Sequence, residues 1–391
     1  MNVCMVAYTF YEEDARVRRY AEALASRGDR VDVVALRHNF LPAFEMVNGV
    51  NIYRIQERVL NEKNKYSYLY RVLKFLVKSW LFVSRKHLAE QYDLVHVHSV
   101  PDFEVFAALL PKITGAGIIL DIHDLVPEFY AAKFGVNQQS FSYRALEFIE
   151  KMCIRFSDRV IISNHLWEER LISRSASHGK CCTFLNYPDR LFFRSRAEEK
   201  SGKFMAIYPG SLNWHQGLDI AIKAFAIARK ELPEAEFHIY GAGPEKKALG
   251  ALITELDMGK SVLLMDPLPL DRIVEKMAGA SLGIVPKRND SFGGEAFSTK
   301  VFEFMALGVP ILLSRTKIDQ FYFNDSIVKY FEPENVQELA QSLVLLAKNE
   351  ELRLRLAANA MAFVEEFRWD KRKFGYFAMI DGIFNKSAIP G

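Results

Sequence analysis

The sequence has no cysteine pattern that would bind a metal or staple a small fold. Its four cysteines, Cys4, Cys153, Cys181 and Cys182, form no CxxC pair and no Cys/His spacing typical of zinc. They read as reduced, mostly buried thiols of a cytosolic protein. A charge excess is also lacking. The formal net charge is +3 over 391 residues, which gives no support for nucleic-acid binding by overall field. No stretch reaches the roughly eighteen apolar residues that a membrane-spanning helix requires. The start, "MNVCMVAYTFYEEDAR", shows no basic segment followed by a long apolar core, which argues against a signal peptide. Short-period repeats and low-complexity segments are missing too. What remains is ordinary for a soluble globular protein, with 50% hydrophobic and 25% charged residues. The chain is too long for one core, so two domains are expected.

The first part alternates strand and helix patterns. "NVCMVA" (2–7) is followed by "DARVRRYAEALASRG", where Val17, Tyr20, Ala21 and Leu24 fall at helical spacing and Gly28 stops the run. "VDVVAL" (31–36), "DLVHVH" (93–98) and "GIILDI" (117–122) are further strands. The pattern restarts after Asn186-Tyr187-Pro188 with "FMAIYPG" (204–210), a helix in "LDIAIKAFAIARKEL", "EFHIYGAG" (236–243), "SVLLM" (261–265), "SLGIVP" (281–286) and "VPILL" (309–313). Asn335 with Glu338 three residues on marks a helix start. Strands alternating with helices predict parallel sheets covered on both faces. The expectation is two doubly wound α/β domains with a boundary near 186–200. A last helix over 369–384 carries Phe374, Phe377, Met379, Ile380 and Phe384, too much apolar surface to leave bare, and packing back across the first domain is one solution.

One stretch concentrates the chemistry: "SFGGEAFSTKVFEFMALGVPIL", residues 291–312. In open parallel sheets, ligands bind beyond the carboxyl ends of strands. The strand 281–286 ends at a loop whose Gly293 and Gly294 let backbone approach a ligand closely. A helix then begins near Ser298 or Thr299, and its first N–H groups form a ready site for phosphate. Lys300 adds a full charge in that first turn. Glu303, a turn further on, could accept hydrogen bonds from a ribose diol, and Glu295 from sugar hydroxyls. Taken singly, either glutamate is as well explained as a structural acid; together they favour a nucleotide-sugar site.

These residues carry a resemblance. E-x7-E followed by "FMALGVPIL", with "GSLNWHQGLDIAI" (210–222), "IYGAGPE" (239–245), "LNYPD" (185–189) and "FRW" (367–369) in order, resembles the family-four retaining glycosyltransferases of the GT-B fold. It covers essentially the whole chain and is strongest over 204–313. The resemblance implies two Rossmann-like domains facing across a cleft, whose closure would exclude water. It implies an acceptor-binding domain over 1–187, joined by a C-terminal helix at about 370–391, and a nucleotide-sugar domain over 188–369. The activity implied is transfer of a hexose, with retention, from a nucleotide diphosphate sugar, such as UDP-glucose by family frequency, to a glycan or lipid-linked glycan in polysaccharide biosynthesis. The departing phosphate would help deprotonate the acceptor. No DxD motif is present, and the fold class usually works without bound metal, so neither metal nor cofactor is expected.

The expected catalytic residues are Glu295, Lys300 and His123, the last because the matching family position contacts the donor sugar. A histidine at a strand end is about as often purely structural. The donor side would comprise Gly210, Ser211, Gln216, Gly241, Gly243, Asp266, Leu268, Gly294, Ala296, Phe297, Ser298, Thr299 and Glu303. The acceptor side would comprise Tyr8, Asp14, Arg16, His98, Asp102 and Asp124, although Asp14 and Arg16 could equally cap a helix. The chain departs from the family at two points: Ser211 and Gln216 stand where an Arg and a Lys usually face the diphosphate, and the usual Gly-Gly of the first loop is replaced by "YTFYEEDARVRR". Stabilisation of the leaving group then falls to Lys300, the amides at 297–300, and Lys287 or Arg288. Two other functions stand as alternatives: a nucleotide-sugar epimerase of the same fold, or, given Ser211 and Gln216, a catalytically silent sugar-nucleotide-binding subunit.

A final stretch, "KYSYLYRVLKFLVKSWLFVSRKHL" (65–88), mixes Arg71, Lys74, Lys78, Arg85 and Lys86 with aromatics. It fits either a helix packed on the sheet with a solvated basic edge or an amphipathic helix lying on an anionic membrane. The expected location is therefore cytoplasmic, with peripheral contact to the inner face of the cell membrane as an option.

Overall fold

The computed structural model describes residues 1–57, 65–189 and 202–385. Most of the expected boundary near 186–200, and the final residues 386–391 of the expected C-terminal helix, lie outside them. The chain forms two compact units, Met1–Asn186 with Lys373–Gly391, and Tyr187–Arg372.

The first unit holds an eight-stranded sheet built from β1 (Asn2–Phe10), β2 (Arg30–Arg37), β3 (Phe44–Val47), β4 (Val50–Glu57), β5 (Leu94–His98), β6 (Gly117–Ile122), β7 (Arg159–Ile162) and β8 (Cys181–Thr183), in the order β3-β4-β2-β1-β5-β6-β7-β8. All neighbours are parallel except the edge pair β3–β4. The central strands read as apolar runs because helices cover both faces, and β1 is buried from Val3 to Ala7. The helix Ala15–Arg27 starts on Asp14, whose carboxylate accepts from the backbone N–H of Arg16 and Val17, and ends on Gly28 at φ +95°.

The helix Trp369–Phe384 supplies its later turns to this unit. Its buried side chains here are Tyr376, Met379 and Ile380. Phe374 and Phe384, expected to pack, are exposed. Phe374 falls off the stripe that the 3.6-residue period turns inward, and Phe384 is the helix's last residue. The Tyr376 hydroxyl lies 2.8 Å from His96 Nδ1, and its ring sits 4.5 Å from Tyr20.

The second unit holds β9 (Met205–Pro209), β10 (Glu236–Tyr240), β11 (Val262–Met265), β12 (Leu282–Val285), β13 (Ile311–Ser314) and β14 (Lys329–Phe331), all parallel, in the order β11-β10-β9-β12-β13-β14. The order reverses between β9 and β12, so the space beyond their carboxyl ends is the natural ligand position. The helix Leu218–Ala228 packs its Ile222 and Phe225 into a core with Phe237, Ile239 and Leu343. Asn335 caps the helix Val336–Lys348 by accepting from the Glu338 amide. Among the described residues, no helix is long and apolar enough to cross a membrane. The four cysteines are free, and all but Cys182 are fully buried.

Candidate active site

In the second unit a cavity of about 430 Å³ opens at the carboxyl edge of the sheet, a size suited to a small-molecule ligand. Pro209, Gly210 and Ser211 line it after β9, and Tyr240, Gly241 and Ala242 after β10. Leu268, Ile273 and Met277 form an apolar wall, and Thr299, Lys300 and Glu303 close it from the helix Thr299–Leu307. Two glycines are sterically required here. A Cβ at Gly241 would lie 1.9 Å from the Gly210 carbonyl oxygen, and one at Gly210, where φ is +141°, would lie 2.4 Å from Lys300 Cε. The loops after β9 and β10 can therefore touch, and the lysine can lie along the first of them.

Lys300 is half-buried, with its ammonium 5.0 Å from the centre of the Tyr208 ring. Burial lowers its pKa to about 8, against the opposing pull of Glu303. Ser298 stands at the N-cap but makes no side-chain cap bond. Its buried Oγ has no hydrogen-bond partner among the described residues. Helix-end amides, an orphaned hydroxyl and a partly desolvated ammonium together favour an anion. The Tyr208 hydroxyl, 2.9 Å from the Ser211 carbonyl and 3.0 Å from Gln216 Oε1, ties the β9 loop to the turn that follows. Gln216 is thus a strut beside the site and does not line the cavity.

The expected cations Lys287 and Arg288 are committed elsewhere. Lys287 Nζ lies 2.8 Å from Asp319 and donates to the Ala296 carbonyl at 2.9 Å, both side chains being buried. Arg288 forks onto Asp219 at 2.9 and 3.0 Å and stacks on Trp214. Lys287 cannot leave for a ligand without stranding the buried Asp319 carboxylate, and Arg288 is held by a two-pronged pair with the partly buried Asp219. Their work is to hold the loop. Lys287 fixes Ala296, the Ile318 amide donates to the Gly294 carbonyl at 3.0 Å, and Lys317 pairs with Glu295 at 2.9 Å. Glu295 therefore sits next to the cavity-forming helix with a lysine already on it. The Phe297 ring packs against Phe302, Tyr322 and Phe323, so only its backbone could serve a donor. Asp266 is highly exposed and pairs with Lys246 at 2.5 Å. Gly243 lies behind the cavity, against the Leu212 backbone. Sequence reasoning missed Tyr240, Ile273 and Met277. The last two lie four apart on the helix Leu270–Ala278, a spacing that could have flagged them.

In the first unit the expected acceptor residues collect at the carboxyl edge of β1, β5 and β6, but most are occupied. Arg16 is buried, donating to both Asp121 oxygens at 2.8 and 2.7 Å and to the Phe184 carbonyl at 2.9 Å. His98 Nδ1 lies 3.1 Å from the same carboxylate, and His123 Nε2 lies 3.3 Å from it. Buried and bonded, Arg16 and His98 act as structural groups in place of the expected acceptor contacts, and Asp14 takes the helix-cap role that was its alternative. Burial alone would raise the Asp121 pKa, but Arg16 holds it well below the usual carboxylate range. Burial pushes the His96 and His98 pKa values down. His96, His98 and Asp121 bring possible ligand atoms within 4.8 Å, yet the guanidinium takes the carboxylate that a metal would need. His123 and Asp124 are only partly buried, and Tyr8 closes the end of β1 against Phe75. Asp102 is buried, and its pKa is pushed up to about 7.

Comparisons with known proteins give the family and the fold. Residues 14–186 match the sequence model of the glycosyl transferase 4-like domain, and residues 189–363 match that of glycosyl transferases group 1. The chain belongs to this glycosyltransferase family, as the resemblance implied. An uncharacterized glycosyltransferase of Methanocaldococcus jannaschii is 22% identical over 306 residues, 75% of this chain and 74% of its own length. The sucrose-phosphate synthase of Thermosynechococcus elongatus superposes with a TM-score of 0.81 at 17% identity, over 99% of this chain and all of that one. The Anabaena protein HepE, solved with UDP-glucose, gives 0.73 at 14% identity, over 96% and 99%. These structures share the GT-B fold. The acid pair E-x7-E is a feature of the sequence, and the match to the family does not rest on it.

Proposed function

We propose that this glycosyltransferase moves a hexose, with retention, from a UDP-sugar such as UDP-glucose to a glycan or lipid-linked glycan in polysaccharide biosynthesis. The observation that carries this reading is Lys300, held at a helix start in a cavity that glycines keep open. HepE, alike in fold, binds UDP-glucose. In the reaction the bond between the anomeric carbon and the phosphate oxygen breaks, and negative charge grows on the diphosphate. Lys300 and the amides at the helix start stabilise that charge. The acceptor oxygen bonds to the same face of the sugar and passes its proton to the departing phosphate. Glu303 accepts from the ribose, and Glu295 from the hexose once Lys317 yields. The reading calls for no metal and no cofactor, and for a cytoplasmic location.

The test is incubation with a panel of nucleotide sugars, with and without candidate acceptors. The expected result is acceptor-dependent nucleotide release, with the product keeping the donor's anomeric configuration. Epimerised sugar nucleotide without release would replace transfer by epimerisation. Tight donor binding with neither reaction would make the chain a silent subunit.

A further inference from the structure

The helix Lys65–Ala89 carries two apolar stripes where a surface helix needs one. Val72, Phe75, Ser79, Val83 and His87 recur every three or four residues, and all are buried. That stripe anchors the helix on the first unit's sheet. On the opposite side the exposed residues are Tyr70 (66%), Leu73 (45%), Val77 (53%), Leu81 (55%) and Leu88 (75%). Solvent-facing positions of an ordinary amphipathic helix are polar. This second stripe also continues sideways. Ile113 is 74% exposed on the short helix Leu109–Ile113, which packs against the long one. Exposed Phe44 packs with its ring 4.9 Å from that of Tyr53, itself 4.9 Å from Phe82 of the long helix. A contiguous apolar surface of this kind marks an interaction site.

We propose that this face docks on an anionic lipid bilayer, with the helix lying in the plane of the membrane. Charge selects the partner. The 25-residue helix contains no aspartate or glutamate. Lys78 and Lys86 are turned inward, to the Ile55 carbonyl at 2.9 Å and the Tyr53 hydroxyl at 3.0 Å. Lys74 and Arg85 are exposed along one side of the stripe. Apolar side chains at the centre with cations at the edge match acyl chains beneath anionic headgroups. A second copy of the chain fits poorly. A two-fold contact through this face would set a helix with only positive charges against itself. Docking would also bring one functional edge to the surface, because Tyr68, in the first turns, lies 6.4 Å from Tyr8 at the end of β1. The proposal stands independently of the transfer reaction.

The test is sedimentation of the full chain with vesicles of pure phosphatidylcholine and of phosphatidylcholine mixed with phosphatidylglycerol. The mixed vesicles are expected to bind about ten-fold more tightly, with binding weakened by added salt. Lys74→Glu with Arg85→Glu should weaken it roughly ten-fold, and Leu73→Glu with Leu81→Glu should do the same. Both pairs are exposed, so circular dichroism and turnover of a water-soluble acceptor should stay at the wild-type level. Absent binding, equal binding to both vesicles, or binding that survives both double variants would overturn the proposal. So would self-association that Leu73→Glu with Leu81→Glu abolishes, which would assign the face to a second copy. Failure of the transfer reading would instead show as lost turnover with vesicle binding intact.

Discussion

The two units use the carboxyl edges of their sheets in opposite ways. In the first, Arg16, Asp121, His98 and His123 crowd together, and the cation is locked by a two-pronged pair with a buried carboxylate. In the second, glycines hold the edge open, and Lys300 lies half-buried over a tyrosine ring with its pKa drawn down to about 8. A charge satisfied by the protein builds structure. A charge held at some cost in solvation stays available to a ligand.

The contrast can be broken at its strongest point first. Asp121→Asn should cost about 3–5 kcal/mol of stability, since it strands the buried Arg16; urea unfolding measures it, and a loss below about 1 kcal/mol would mean that the pair is not structural. Lys300→Met should instead leave stability unchanged or raised at pH 7 while lowering donor turnover about 100- to 1000-fold. Unaltered turnover and nucleotide affinity would remove Lys300 from the leaving-group account. Gly210→Ala should push Lys300 aside and weaken donor binding roughly ten-fold, with a smaller loss of stability. Calorimetric titration with UDP would read this, and wild-type affinity would show that the loop and lysine move independently.

The smallest effect is in pH. In the folded chain burial lowers the Lys300 pKa from its ordinary 10.5 to about 8, so the unfolded chain binds more protons between those values. Stability from this group therefore rises with pH across that window. Donor affinity runs the other way, falling as the ammonium deprotonates above about pH 8. Binding near that pH should take up a proton, visible as a heat that changes with buffer ionisation. A buffer-independent heat would contradict it.

Much of this was legible in the sequence. The helix start at Thr299, the glycine stop at Gly308 and the last helix at 369–384 follow from local signals that act within one turn. The strand pair β3–β4 was not visible. Its inward face includes Arg54 and Gln56, so the two-residue apolar alternation fails, and Arg54 is tolerated there because Glu12 and Glu45 meet it. β8 and β14 span only three residues, too few for periodicity to register. The fates of Arg16, Lys287 and Arg288 were unreadable for another reason. Each is decided by a partner distant in sequence, and a cation's spacing does not say whether a carboxylate waits for it in the fold.

The bond from Tyr376 to His96 has a consequence for biosynthesis. The second unit, Tyr187–Arg372, is contiguous in the chain, whereas the first is completed only by the segment after it. As the polypeptide leaves the ribosome, the half made earliest must wait with Tyr20 and His96 uncovered while its younger neighbour can already close. A released fragment ending at residue 372 should therefore be cut by protease in the early half and resist it in the later one.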